Sequence, residues 1–166
     1  MSDRIPMTPR GKAMLDEELK RLKSSDRPRI VKEIEIARAH GDISENAEYH
    51  AAKERQGQIE ARIRLLEDRL ARAQVIDGRG QSTQKVSFGA TVVLSDVDSG
   101  DAVTYTIVGE DEADIGRGLI SVTSPVARAI MGRERDASVR VQVPKGTREF
   151  EILEIRFELA VEVGAS

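Results

Sequence analysis

The chain has 166 residues, with 26 Lys and Arg against 29 Asp and Glu, a net charge of −3, 39% apolar residues, no Cys and no Trp. Without Cys, disulfide frameworks, thiolate zinc sites and cysteine nucleophiles are excluded. No apolar run approaches the ~20 residues of a membrane span and Met1-Ser-Asp-Arg lacks the apolar core of a leader, so a cytoplasmic location is expected. The net negative charge argues against general DNA binding, and a charged fraction of 33% favours long solvated helices over a compact enzyme.

The two halves differ in charge and period. Up to Ile76 there are 16 basic and 14 acidic residues, and after it 10 and 15, so the halves carry +2 and −5. Thr8-Pro9 supplies an N-cap followed by Pro at the first helical position. Leu15, Leu19 and Leu22 are spaced four and three, and Ile59, Ile63, Leu66, Leu70 and Ala73 alternate four and three, the seam of a coiled coil. In an antiparallel hairpin, facing residues have a constant position sum. Leu15 with Leu70, Leu19 with Leu66 and Leu22 with Ile63 each give 85, so the chain is expected to reverse at Asp42-Ile43, beside Gly41. Arms of ~30 residues at 1.5 Å per residue make a finger ~45 Å long. Near the turn the seam shrinks to Ala37, Ala39, Ala47, Ala51 and Ala52, predicting close backbones. Pro28 predicts a kink or a one-turn interruption in the first arm rather than two separate helices.

Asp77-Gly-Arg-Gly-Gln-Ser-Thr-Gln84 reads as a linker, after which the period changes. Residues 90–95, 102–108, 119–122, 138–143 and 150–157 read as five short strands, with clear alternation in Val139, Val141 and Val143. Ser124-Pro125 opens a short helix that Gly132 ends. The fold class is therefore α+β, with an antiparallel coiled-coil finger over 1–77, a linker over 78–85 and a small α+β domain over 86–166.

At the turn, Asp42 and Glu45 stand three apart with no basic residue between them. One reading is a helix cap, Asp at the N-cap with Glu three residues on. The other is a pair of hard oxygen ligands that share a divalent cation, the remaining ligands coming from a partner or its phosphate substrate, as in half of a two-metal site. Glu48 is a third acid or a solvated helix charge. His40 and His50 match no zinc spacing and read as structural, as does Tyr49. Lower on the first arm, Lys20, Arg21, Lys23, Arg27, Arg29 and Lys32 are offset only by Asp26, which is a solvated face or a track for a phosphate backbone.

These stretches, together with Ile5-Pro-Met-Thr8, Ala73-Gln-Val-Ile-Asp77, Phe88-Gly-Ala-Thr-Val92, Ile107-Val-Gly-Glu-Asp-Glu-Ala-Asp114 and Leu119-Ile-Ser-Val-Thr-Ser-Pro-Val-Ala-Arg128, resemble the bacterial transcript-cleavage factors of the Gre family over about residues 5 to 157. The resemblance implies a coiled coil that enters the secondary channel of bacterial RNA polymerase and an FKBP-like C-terminal domain that docks at the channel entrance. It implies a monomer that is not itself an enzyme and stimulates the polymerase's own cleavage of backtracked RNA, meeting the nascent 3′ end. Asp42 and Glu45 would be the catalytic pair, holding a Mg²⁺ shared with the polymerase active site, with no stably bound cofactor of the chain's own. Arg38, Lys53, Arg27, Arg29 and Lys32 would contact RNA or channel walls, and Ser124, Pro125, Ala127, Arg128 and Ile130 would dock on the polymerase. The weak basic balance of the finger suits the family's less basic branch. Competing readings are an inhibitory channel-binding relative, for which the turn lacks an Asp cluster, and a prolyl isomerase or chaperone, for which the domain offers only Phe88, Tyr105, Phe150 and Phe157 as aromatics.

Overall fold

A computed structural model describes residues 3–42 and 46–157. The chain falls into two compact units, one comprising 1–3 and 13–72 and the other 4–12 and 73–166.

The first unit is a helical hairpin. α1 (Pro9–Arg21) continues through a π-helical turn (Leu22–Asp26) into α2 (Arg27–Arg38), and α3 (Ala47–Ala71) returns antiparallel to them. The π turn is the answer to Pro28. Proline has no N–H to donate and its ring would clash with the carbonyl four residues back, so widening the preceding turn removes the conflict without ending the helix. Arg27 N–H accordingly reaches Leu22 O, five residues back. The first arm is thus one continuous helical rod with a wide turn, as the single interrupted arm required.

Leu15, Leu22, Ile63 and Leu66 are buried, and Ile30, Ile34 and Ala52 form a small cluster further along with Tyr49 and Ile59 against it. Flanking ion pairs cross between the arms: Glu18 with Arg62, Lys23 with Glu67, Arg27 with Glu60 and Glu33 with Arg55. Their position sums of 80, 90, 87 and 88 bracket the register expected from the leucines. The alanine seam is narrower than expected: Ala37 and Ala52 are buried, whereas Ala39, Ala47 and Ala51 face solvent. Leu19 is half-buried.

The second unit opens with a strand that periodicity did not reveal. β1 (Ile5–Met7) pairs in parallel with β2 (Ala73–Val75), Ile5 opposite Ala73 and Met7 opposite Val75. Gly109 lets this segment approach, since a Cβ there would lie 2.5 Å from Pro6 O. Thr8 caps α1 by accepting from Gly11 N–H at 3.0 Å, while its hydroxyl donates to Glu112 Oε1. Glu112 is buried and pairs with Arg10 at 3.0 Å, so the start of the chain is tied to residues a hundred positions on.

A five-stranded sheet follows, in the order β5 (Leu119–Ser121), β4 (Ala102–Val108), β3 (Thr91–Asp96), β7 (Gly146–Arg156), β6 (Ser138–Val143). All pairings are antiparallel except β4 with β5. α4 (Pro125–Ile130) covers one face, and Val92, Leu94, Ile107, Ile120, Ile130 and Ile152 make the centre of the core. In β7, Ile152 and Ile155 are both buried although three apart. A bulge explains this, because Val93 pairs with Glu154 and Leu94 with Ile152, which leaves Leu153 as the extra, exposed residue. The five expected strands and the short helix are all present, and the α+β class holds. The division of the chain differs from the expected bounds. Residues 4–12 and 73–85 group with the sheet domain, because β1 and β2 pair there, Ile76 packs on its core and Lys85 bridges Glu134. Among the described residues, no helix is long and apolar enough to cross a membrane.

Two stability measurements follow. Leu66→Ala removes a side chain with 0% exposure and should cost ~2–5 kcal/mol in urea unfolding, more than Leu19→Ala at its half-buried site. Asp96 accepts from the backbone N–H groups of Ser99 and Asp98 and from Arg148, and these hold its carboxyl below the ordinary aspartate range. The folded form therefore binds a proton less readily than the unfolded form. The resulting stabilisation is complete above ~3.9, the ordinary aspartate value, and disappears as the pH falls through the lowered one. Asp96→Asn should thus be less stable at pH 7, and the difference between the two proteins should close on acidification, read as urea midpoints from pH 7 to 2.

Candidate functional site

The free end of the hairpin is built by three fastenings. α2 finishes with Ala39 N–H on Glu35 O at 3.2 Å and His40 N–H on Ala37 O at 3.1 Å, after which Gly41 takes a positive φ of 119° that turns the chain out of the helix. Asn46 then caps α3. Its backbone is extended, its side-chain oxygen accepts from Tyr49 N–H at 3.0 Å, and its side-chain NH₂ donates to Ala37 O at the end of α2. One amide thereby links the last turn of one helix to the first turn of the next. Tyr49 completes the brace: it packs on the Ile30, Ile34 and Ala52 cluster, meets the His50 ring edge-on at 5.6 Å, and lies under the Arg38 guanidinium at 5.8 Å.

Asp42 is exposed in this loop. Glu45 lies outside the described residues, so the catalytic and metal-ligand assignments made for the pair can be followed only at Asp42. The helix-cap reading of these two acids is overturned, since α3 begins at Ala47 and its cap is Asn46, four residues beyond Asp42. Glu48 is exposed at the start of α3, with its Oε2 3.7 Å from His40 Nδ1. Among the described residues no three His, Asp or Glu side chains gather in a metal-binding group. The carboxylate chemistry at 42 and 45 fits a hard divalent cation, but as a partial ligand set that a partner must complete.

The basic candidates separate into distinct roles. Arg27 spends two guanidinium nitrogens on Glu60, each bond 2.9 Å, which lowers the Glu60 carboxyl and raises the guanidinium from their ordinary values. That residue joins the two arms through this pair. Lys23 does the same with Glu67. Arg62 likewise holds Glu18, whose carboxyl is lowered chiefly by that hydrogen bond, with burial opposing. Lys53 reaches Gln56 Oε1 at 2.9 Å on its own helix, Arg29 reaches Ser25 Oγ at 3.5 Å, and Lys32 is exposed. Arg38, stacked on Tyr49, stands nearest the loop in sequence.

In the sheet domain, Ser124 caps α4 by accepting from Ala127 N–H at 3.3 Å. Ala127 and Ile130 are 0% exposed and belong to the core, so neither is available to a partner. Of the candidate docking residues, Ser124, Pro125 and Arg128 are those with accessible surface, and Ala127 and Ile130 drop out. A cleft of 320 Å³ elsewhere in this unit is lined by Thr8, Arg10, Thr91, Thr106, Glu112 and Arg117 among others, with no aromatic side chain. Phe88, Tyr105, Phe150 and Phe157 pack with the core instead, which removes the apolar wall that a prolyl-isomerase pocket would need.

A two-helix hairpin followed in the chain by a small five-stranded sheet domain is the class of architecture that these elements define. Residues 5–75 match the family model "Transcription elongation factor, N-terminal" and residues 81–157 the model "Transcription elongation factor, GreA/GreB, C-term", and the chain belongs to this GreA/GreB family. The two models part within the stretch 76–80, next to the linker expected from composition, whereas the contacts divide the chain before it.

Among its relatives, the transcription elongation factor GreA of Trichlorobacter lovleyi is 56% identical over 158 residues, covering 95% of this chain and 100% of that protein. GreA of Alkalilimnicola ehrlichii is 57% identical over 155 residues, 93% and 98% of the two chains. Of solved structures, GreA factor homolog 1 of Thermus thermophilus is 28% identical with a TM-score of 0.42, covering 92% of this chain and 99% of that one.

Proposed function

We propose that this chain is a transcription elongation factor of the GreA type whose finger tip enters the secondary channel of RNA polymerase and stimulates hydrolysis of backtracked RNA by the polymerase itself. The observation that carries this reading is the tip. Asp42 is exposed on a loop at the free end of a hairpin roughly 45 Å long, and the helix that follows is capped by another residue. Asp42 therefore carries its carboxylate at the exposed tip without serving as that cap. With relatives of this identity named GreA over nearly the whole chain, cytoplasmic transcription is the setting in which such a tip works.

Asp42 and Glu45 would together offer oxygen ligands to a Mg²⁺ shared with the polymerase active site. When bound, that cation supplies Lewis-acid stabilisation of charge on the phosphoryl oxygens. The chain's own contribution would be placement: Asp42 stands four residues before the helix cap at Asn46, so the hairpin would carry the acids to the RNA 3′ end as a unit. Neither carboxylate needs to move a proton for this. Arg38, Lys32, Arg29 and Lys53 would lie along RNA or channel walls, and Ser124, Pro125 and Arg128 would add uniform binding energy at the channel entrance. The chain would act as a monomer and hold no cofactor stably by itself.

Asp42→Ala and Glu45→Ala should each lower cleavage of a backtracked complex by roughly 100-fold or more at saturation, the scale of losing one preorganised electrostatic contact. Asp42→Ala should still fold and should lose less stability than Asn46→Ala, because Asn46 and not Asp42 caps α3. Retained cleavage by both variants would remove the catalytic reading. Pro125→Glu or Arg128→Glu should raise the concentration needed for half-maximal cleavage while leaving the saturated rate nearly unchanged, since uniform binding energy sets occupancy and not the bound rate. Competition binding to polymerase, paired with cleavage at saturation, checks both halves of that statement.

A further inference from the structure

Asn46 is the one residue whose side chain grips both helices at the tip among the hydrogen bonds described above. Its Oδ1 accepts from Tyr49 N–H at 3.0 Å in the first turn of α3, and its Nδ2 donates to Ala37 O at the end of α2. The orientation of the amide follows from its partners, because the reverse placement would set an NH₂ against an N–H and an oxygen against a carbonyl. Ala37 O also receives His40 N–H at 3.1 Å, so a single carbonyl anchors both the exit from α2 and the approach to α3. Asp42 lies between these anchor points, two residues after His40 and four before Asn46.

The chemistry required at position 46 is narrow. A cap needs only an acceptor, and Asn, Asp and Ser all provide one. The grip on Ala37 needs a donor at the same reach, which Asp lacks and which Ser, one bond shorter, cannot extend that far. Asn therefore does two things where a cap does one, and the second joins the end of α2 to the start of α3. We propose that Asn46 is a positioning residue for transcript cleavage, acting through its Nδ2–H to Ala37 O bond to hold together the two helix ends on either side of Asp42 and Glu45. This inference rests on the cleavage function proposed above.

The test uses the full chain with Asn46→Asp and Asn46→Ser, two variants that keep an N-cap acceptor and lose the donor, and Asn46→Ala, which loses both. Each is measured for melting temperature, for polymerase affinity by competition, for cleavage rate at saturation and for the Mg²⁺ concentration that gives half-maximal cleavage. Asn46→Asp and Asn46→Ser are expected to keep the melting temperature and the affinity, to cleave roughly 10- to 100-fold more slowly at saturation, the cost of misplacing a catalytic group, and to need more Mg²⁺. Asn46→Ala should show the same cleavage defect with an added fall in melting temperature. Agreement between the Asp and Ser variants shows that the added charge of Asp is not the cause. Wild-type saturated rate and Mg²⁺ dependence in both cap-competent variants would reduce Asn46 to a helix cap and overturn the proposal. A loss confined to affinity would overturn it too. If Asp42→Ala and Glu45→Ala abolish cleavage while Asn46→Asp and Asn46→Ser do not, the positioning role alone fails, whereas full activity in all four would bring down the function on which it rests.

Discussion

Everything the finger does depends on one constraint, that two helices of unequal history lie antiparallel in a fixed register. The register is set by apolar residues at alternating spacings of three and four, with Leu22, Ile63, Leu66, Ile30, Ile34 and Ala52 buried along it. Cross-arm pairs of opposite charge discriminate against slipped alternatives, since a shift of one turn would part Arg27 from Glu60 and Arg62 from Glu18. Exposed ion pairs of this sort contribute modestly to stability, and their larger effect is on which alignment is adopted. Alignment matters here because an error of one turn at the base appears undiminished at the tip.

The wide turn at Leu22–Asp26 shows how a locally unfavourable residue is accommodated by such a rod. Pro28 would break the ladder of an ordinary helix, yet the arm continues because the preceding turn takes one residue more. The extra residue also rotates everything beyond it relative to the seam below, and the cluster of Ile30, Ile34 and Ala52 resumes the contact on the far side. Burial on both sides of the interruption keeps the two segments working as one arm.

Much of this architecture is legible in the sequence because long helices and alternating strands repeat their signal many times. The leucine spacings gave the hairpin and its turn, and the Val139, Val141, Val143 alternation corresponds to a strand that turns the same residues inward. What escaped detection is short or non-local. β1 and β2 have three residues each and pair across 68 positions, for which no local pattern exists. Gly109 and Glu112 gain their meaning only from the segment that packs on them. At the tip, the spacing of Asp42 and Glu45 imitates a capping box, while the true cap is Asn46, an equally good capping residue that local sequence does not single out. Ala127 and Ile130 lie on the same short helix as Pro125 and Arg128, but helix periodicity turns them toward the core, while Pro125 and Arg128 face outward.

The pairing of β1 with β2, together with the tie from Thr8 and Arg10 to Glu112, means that the sheet domain is written in two pieces with the finger between them. On the ribosome this imposes an order of assembly. The hairpin can close once α3 is out, β1 finds β2 just after it, and Thr8 and Arg10 must wait until Glu112 appears. At ~5–20 residues per second that delay is roughly 5–20 s, long enough for the finger to form first. The ties of Thr8 and Arg10 to Glu112 are therefore made late, and a ribosome stalled between α3 and Glu112 would carry a formed hairpin and an unfinished sheet domain.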